Sequence, residues 1–386
     1  MTVHTQRIIM NGVTGRMGYR QHLLRSVLAI RDEGGIELPD GDRIQVEPIL
    51  VGRNADKLRT LAAQHDVADW TTDLDEAIAD DTADDTAAIY FDAQVTSERK
   101  KAILKALAAG KHVYTEKPLA ESVEEGLEIA EAGSAAGTIN GVVHDKIYLP
   151  GLVKLKRLID GGFFGRVLSV RGEFGYWVFE GDWQPAQRPS WNYRAQDGGG
   201  MVLDMFCHWN YVFEHLFGRV DAVMAKAVTH VPERWDERGE RYDATADDAA
   251  YGIFEIGDTI VSMNSSWATR VERKELVEFH VDGTHGSAVA GLFGCRIQPR
   301  ERTPKPVWNP DLPTDIDFRA QWDEVPDNQV FSNGFRAQWE EYLLDVHLGR
   351  PHPYGFMSAV RGLELVDAGL TSSREGRRVV METRTS

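Results

Sequence analysis

The stretch that most narrows the fold lies near the start of the chain. Arg7-Ile8-Ile9-Met10-Asn11 is a short apolar run, and Gly12-Val13-Thr14-Gly15-Arg16-Met17-Gly18 follows at once. Leu23, Leu24, Val27, Leu28 and Ile30 then recur at helical spacing. A strand, a glycine-rich turn and a helix in that order open a doubly wound α/β sheet. Glycine lets the backbone approach a pyrophosphate, and the helix N-terminus offers free N–H groups and a positive dipole end. A dinucleotide turn built from Gly12, Thr14, Gly15, Arg16 and Met17 fits this context. The plainer alternative is a tight strand-to-helix turn without a ligand.

The pattern repeats. Residues 46–51, 87–91, 113–115 and 138–143 read as strands, and 54–65, 73–79, 97–109 and 121–137 as helices. Such alternation implies a parallel sheet with helices on both faces. Residues 32–42 read as a polar loop, and the acidic run 80–85 as a solvated one. In NAD sites an acidic residue ends the second strand and takes the ribose hydroxyls; an arginine nearby accommodates the 2′-phosphate of NADP. Here Val51 is followed by Gly52, Arg53 and Asn54. NADP is therefore the preferred cofactor and NAD stays open; a solvated Arg53 is the alternative.

Tyr114-Thr115-Glu116-Lys117-Pro118 ends another strand with a charged pair, at the edge of the sheet where ligands sit. Proline restricts the residue before it, so Lys117 is held and aimed. A catalytic lysine and a surface Glu–Lys pair both fit at this point.

From residue 166 the pattern changes to long strands, 167–174, 221–228, 249–256, 259–267 and 276–281, with Gly257-Asp258 as a hairpin turn. That indicates an antiparallel sheet in a second, α+β domain. The helices 151–159, 335–348 and 358–374 can cover one face, and a second subunit the other. The expected domains are 1–145 and 146–386, with the last helices able to pack back on the first domain.

Two features interrupt the second half. Residues 175–194 carry Tyr176, Trp177, Phe179, Trp183, Trp191 and Tyr193 together with Arg188, Asn192 and Arg194. Aromatic rings pack on sugar C–H faces and the polar groups can bond hydroxyls; packing on a neighbouring subunit is the alternative. Gly198-Gly199-Gly200 then precedes an apolar helix on which Asp204 and His208 stand four residues apart, hence on one face. An acid and an imidazole there are costly unless paired or functional. A metal site would need more ligands than this helix shows, and Cys207 reads as core.

Net charge is −17, which argues against nucleic acid and anionic membranes as partners. Residues 1–7 lack the layout of a signal peptide, and no apolar run approaches the ~20 residues needed to span a bilayer. Two cysteines make no disulfide framework, so a cytoplasmic protein is expected.

Taken together, the glycine turn at 12–18, Ala109-Gly110-Lys111-His112-Val113 with Glu116-Lys117-Pro118, Gly198-Gly199-Gly200 with Asp204 and His208, Gly283-Thr284-His285-Gly286-Ser287 and the tail around Ser372–Val379 resemble the Gfo/Idh/MocA oxidoreductase family, in the family's order. The resemblance implies a Rossmann domain, a C-terminal domain whose large open sheet serves oligomerisation as a dimer or tetramer, and a nicotinamide cofactor. It places the catalytic lysine on Lys117, the aspartate on Asp204, the histidine on His208 and a substrate-side basic residue on Lys146, with Tyr148 next to it. Tyr176, Trp191, Asn192 and Arg194 complete the expected substrate side, and Gln94, Glu116 and Asn54 the cofactor side. The chain departs from the family in reading Gln94-Val95-Thr96 for Thr-Pro-Asn and Arg99 for the usual histidine, and in a glycine turn one residue longer, as in dihydrodipicolinate reductases. The implied activity is hydride transfer between NADP or NAD and a hydroxyl or keto carbon of a sugar or polyol. Alternatives are glycoside cleavage by oxidation and elimination, and a non-catalytic dinucleotide sensor.

Overall fold

A computed structural model describes residues 2–79 and 88–382. The acidic run 80–85 and Ala87 lie outside the described residues. Two compact units emerge: residues 1–148 with 332–363, and residues 149–331 with 364–385.

Unit 1 is built on a seven-stranded sheet in the order Ile36–Glu37, Arg43–Val51, Val3–Asn11, Ile89–Asp92, His112–Thr115, Asn140–Val142, with Asp69–Thr71 also paired to Arg43–Val51. All pairs are parallel except Ile36–Glu37 with Arg43–Val51. The 32–42 segment thus holds a short antiparallel strand rather than loop alone, because Ile36 pairs with Ile44. Alternate strand residues face opposite sides. Ile9, Tyr90 and Val113 enter a cluster with Ile103, Ile129, Phe356 and Val360; Ile8, Met10, Phe91 and Tyr114 enter another with Leu23, Val27, Trp339 and Tyr342.

The helix after the glycine turn departs from the expected period. Gly18–Val27 is wound as a π-helix, continuing as the α-helix Leu28–Asp32. The wider turn buries His22 and Ser26 beside Leu23 and Val27, and leaves Leu24 exposed. Ala55–Gln64 starts on Asn54, whose side chain accepts the Lys57 N–H, and Val123–Ala136 starts on Ser122. These caps satisfy N–H groups that the first helical turn leaves without partners.

Unit 2 carries a nine-stranded sheet, ordered Asp323–Glu324, Cys295–Pro299, Gly286–Ala290, Val277–Gly283, Val167–Gly175, Thr259–Ser266, Ala249–Ile256, Ala222–Val228, Val379–Val380. Only Val167–Gly175 and Thr259–Ser266 run parallel. Gly257, at φ +54°, makes the tight hairpin after Ile256. The helix Met201–Leu216 covers one face, with Phe206 and Phe213 against Phe254 and Trp209 against Phe279. Met224, Tyr251, Ile253 and Ile260 are exposed along the strands.

Candidate active site

The register of unit 1 gathers the candidate cofactor residues. Val51, Asn11, Asp92, Thr115 and Val142 lie side by side across the sheet. The residues that follow each of them form one carboxyl edge: Gly52 and Arg53, the turn from Gly12, Ala93 and Gln94, then Glu116 and Lys117. Such an edge is where open α/β sheets bind ligands.

Gly12 has φ +86°, and a Cβ there would lie 2.6 Å from the Ala93 carbonyl carbon. No other residue fits. A Cβ on Gly18 would lie 2.5 Å from the Gly12 oxygen, so the helix starts hard against the turn. Gly15 and Arg16 are exposed, whereas Thr14 and Met17 are half-buried. Thr14 sits beside Gly52, whose added Cβ would be 3.6 Å from the threonine methyl. Arg53 is exposed, and among the described residues neither it nor Arg16 has an ion-pair partner. Asn54 has its side-chain oxygen committed to the Lys57 N–H at 2.9 Å. Among the described residues the Gln94 Oε1 is buried without a hydrogen-bond partner, so it can accept from a ligand donor. The glycine cradle, this orphaned acceptor and two unpaired cations suit a pyrophosphate-containing dinucleotide.

Lys117 is half-buried, and its bond to Pro118 is cis. The surface-pair alternative fails because Glu116 is only 7 % exposed. Glu116 Oε1 meets His22 Nε2 at 2.9 Å, and Oε2 accepts the Lys117 N–H at 3.0 Å. Burial alone would raise the Glu116 carboxyl; the His22 hydrogen bond and the nearby Lys117 and Arg99 charges hold it below the usual carboxylate range. Beyond Pro118, Arg99 is also buried. Its Nε donates to Asp92 Oδ1 at 3.2 Å, Nη2 to the Gln94 carbonyl at 2.8 Å, and Nη1 to the Pro118 carbonyl. Burial lifts Asp92 above its ordinary value despite the Arg99 charge.

Two other candidates of unit 1 have internal partners. The Tyr148 hydroxyl donates to Glu341, and burial followed by that carboxylate drives its pKa far up. Lys146 Nζ lies 3.5 Å from Asp145 Oδ1.

In unit 2, Gly199 and Gly200 set the entry of the helix that bears Asp204 and His208. A Cβ on Gly199 would lie 2.4 Å from the Trp191 and Asn192 carbonyl oxygens, and one on Gly200 2.7 Å from Asp247 Oδ1. Asp247 Oδ2 accepts the Val202 N–H at 2.8 Å, capping the helix. The 190–193 turn is thereby pressed against the start of the helix. Asp204 Oδ2 accepts from Arg188 Nη2 at 3.2 Å, and that guanidinium lies 4.1 Å over the Trp267 ring. Trp267 meets Tyr193 edge-on, and Arg234 lies 3.8 Å beneath Tyr193. The ladder Arg188–Trp267–Tyr193–Arg234 thus backs Asp204. His208 is buried, with Nδ1 2.7 Å from the Tyr211 hydroxyl. Asn192 is buried and donates to the Pro189 carbonyl, and Arg194 covers the Tyr242 ring. Trp191 is 50 % exposed and Trp183 65 %, while Tyr176 is half-buried against Phe174. The exposed rings are the ones able to face a sugar.

The comparisons with known proteins bear directly on this arrangement. A profile described as an oxidoreductase family with an NAD-binding Rossmann fold matches residues 7–144, and the GFO/IDH/MocA C-terminal domain matches residues 152–289. A D-xylose dehydrogenase of Paenarthrobacter nicotinovorans is 62 % identical over 378 residues, 97 % of this chain and 96 % of that one. The chain belongs to the Gfo/Idh/MocA oxidoreductase family.

As a member of that family it is a nicotinamide-dependent dehydrogenase that moves hydride to or from a CH–OH carbon of a sugar-type substrate. A scyllo-inositol 2-dehydrogenase (NADP(+)) of Bacillus subtilis is 20 % identical over 88 % of this chain and 90 % of its own. A levoglucosan dehydrogenase solved with NADH and levoglucosan superposes with a TM-score of 0.78 at 18 % identity, covering 98 % of this chain and all of that one; this likeness concerns the fold. Among the described residues no helix is long and apolar enough to cross a membrane.

Proposed function

We propose that the enzyme oxidises an aldopentose of the D-xylose type with NADP as the preferred acceptor. The observation that carries the substrate class is the 62 % identity to a D-xylose dehydrogenase along nearly the whole of both chains. NADP preference is supported by Arg53, exposed and, among the described residues, without an ion-pair partner, where an NAD site would carry a carboxylate.

A nicotinamide bound along the carboxyl edge of unit 1 supplies the hydride acceptor. Lys117, as an ammonium, steadies the developing alkoxide. His208 takes the hydroxyl proton as general base. Asp204, tethered by Arg188, orients a substrate hydroxyl, and Trp191 offers a ring face to the sugar. Gln94 would accept from a cofactor donor, whereas Glu116 and Asn54 hold the Lys117 and Lys57 N–H groups beside it. Lys117→Ala is expected to lose about 100- to 1000-fold in kcat with dinucleotide binding intact.

A second copy of the chain covers Met224, Tyr251, Ile253 and Ile260. The buried thiols Cys207 and Cys295, the latter pushed up to about 12 by burial, suit a reducing cytoplasm. The test is a panel of pentoses, hexoses and polyols with NAD+ and NADP+, read by nicotinamide absorbance. Turnover should be highest with D-xylose and NADP+; turnover confined to polyols, or to NAD+, refutes the respective half.

A further inference from the structure

We propose that His22 is a positioning residue for Lys117, acting through Glu116, with Trp339 deciding which ring nitrogen carries the proton. The proposal rests on Lys117 being the catalytic lysine, as read above.

His22 and Trp339 are both fully buried. The Trp339 indole N–H points at His22 Nδ1 from 3.0 Å. An indole nitrogen can only donate, so Nδ1 must accept. The imidazole proton then sits on Nε2 and is donated to Glu116 Oε1, 2.9 Å away. An imidazolium would turn Nδ1–H against the indole N–H, so the ring is neutral while this contact holds. A neutral donor supports a carboxylate in a dry site without cancelling its charge, and that charge stays available to Lys117.

The same carboxylate holds the Lys117 backbone, through Oε2 and the Lys117 N–H. Phe91 and Phe335 flank the imidazole, with ring centroids 4.4 and 5.2 Å away. The charged and titratable groups acting on this carboxylate or facing it are His22, Lys117, Arg99 and Tyr114. His22 lies on the buried side of the π-wound stretch Gly18–Val27. The helix that follows the cofactor turn is thereby fastened to the strand end that carries the lysine.

Two amides of similar polarity separate this role from packing. Glutamine at position 22 can present an N–H where Nε2 stands; the asparagine amide is one bond shorter and reaches only as far as Nδ1. In the full-length enzyme His22→Asn should lose about 10- to 100-fold in kcat, with His22→Gln retaining most of it and the KM for dinucleotide steady in both. In a Lys117→Met background, His22→Asn should cost nothing further, since the two residues act as one unit. Equal losses in the two amide variants, or a His22→Asn loss that persists beside Lys117→Met, would overturn the proposal. Wild-type kcat in Lys117→Met alone would remove the reading of Lys117 and the proposal with it. If the position-22 variants do not fold, Trp339→Phe keeps an aromatic ring there, though a smaller one, and removes the indole N–H. It should lower kcat in the wild-type background and cost nothing further beside Lys117→Met; a Trp339→Phe loss that persists beside Lys117→Met contradicts the proposal.

Discussion

Arg99 donates to the carbonyl of Pro118, the residue immediately after Lys117, from a helix that starts at the neighbouring strand's end. Its other nitrogens hold Asp92 and the Gln94 carbonyl. One buried guanidinium therefore ties the Gln94 segment to the Lys117 segment. Breaking such a buried pair leaves an uncompensated carboxylate. Arg99→Met is expected to destabilise unit 1 by about 3–5 kcal/mol, measured by urea unfolding followed through tryptophan fluorescence. A loss below about 1 kcal/mol would show that the clamp is dispensable.

Gly12 tests the cradle. A methyl group there meets the Ala93 and Gln94 backbone at 2.6–2.8 Å in a left-handed conformation that alanine avoids. Gly12→Ala should weaken dinucleotide binding by at least about tenfold and lower the unfolding midpoint. Isothermal titration with NADP+ and NAD+ reads the first effect, and calorimetric melting the second.

Arg53 tests cofactor choice. Arg53→Ser should raise the KM for NADP+ by about 10- to 100-fold and leave that for NAD+ within about twofold, because only the 2′-phosphate distinguishes them at that end. Steady-state kinetics with both cofactors decides it; a parallel rise in both KM values would place Arg53 on the pyrophosphate or on the fold.

His215 gives a pH prediction for unit 2. Burial, helped by the Lys156 charge, lowers its pKa to about 4 from the ordinary 6.5. Between those values the unfolded chain binds a proton that the folded ring does not. Stability from this group is therefore complete above pH ~6.5 and drains away as pH falls towards ~4. His215→Gln should flatten part of that decline in denaturant midpoints measured across this range; an unaltered slope would mean the ring titrates alike in both states.

Much of unit 1 was legible because its signals are local. The strand at Arg7–Asn11, the glycine turn and the missing acid after Val51 sit within a few residues of one another, and a turn's backbone demands show directly in its glycines. Asn54 could have been read as a helix cap from its place before Ala55-Asp56-Lys57, but the same position also borders the cofactor edge. The supports of Lys117 were hidden. His22 lies 94 residues from Glu116 and 317 from Trp339, and only tertiary packing unites them. The π-winding was hidden too, since Leu23, Val27, Leu28 and Ile30 satisfy an ordinary helical period. In unit 2 the long strands were visible by alternation, whereas Gly286–Ala290, Cys295–Pro299 and the two-residue edge strands Asp323–Glu324 and Val379–Val380 are too short to show a period. Arg188 was readable as a polar side chain among aromatics. Its bond to Asp204 and its seat on Trp267 depend on the 190–193 turn packing against the Gly199 backbone.

The central claim is net hydride transfer from a sugar carbon to the nicotinamide. It is tested most directly by a single turnover of the full-length enzyme with NADP+ and D-xylose deuterated at every carbon-bound position, followed by mass analysis of the cofactor. One reduced cofactor per sugar oxidised is expected, carrying one deuterium, with formation slowed relative to unlabelled sugar and slowed about 100- to 1000-fold in Lys117→Ala. Sugar consumed while the cofactor ends the turnover oxidised, or reduced cofactor without deuterium, would contradict it.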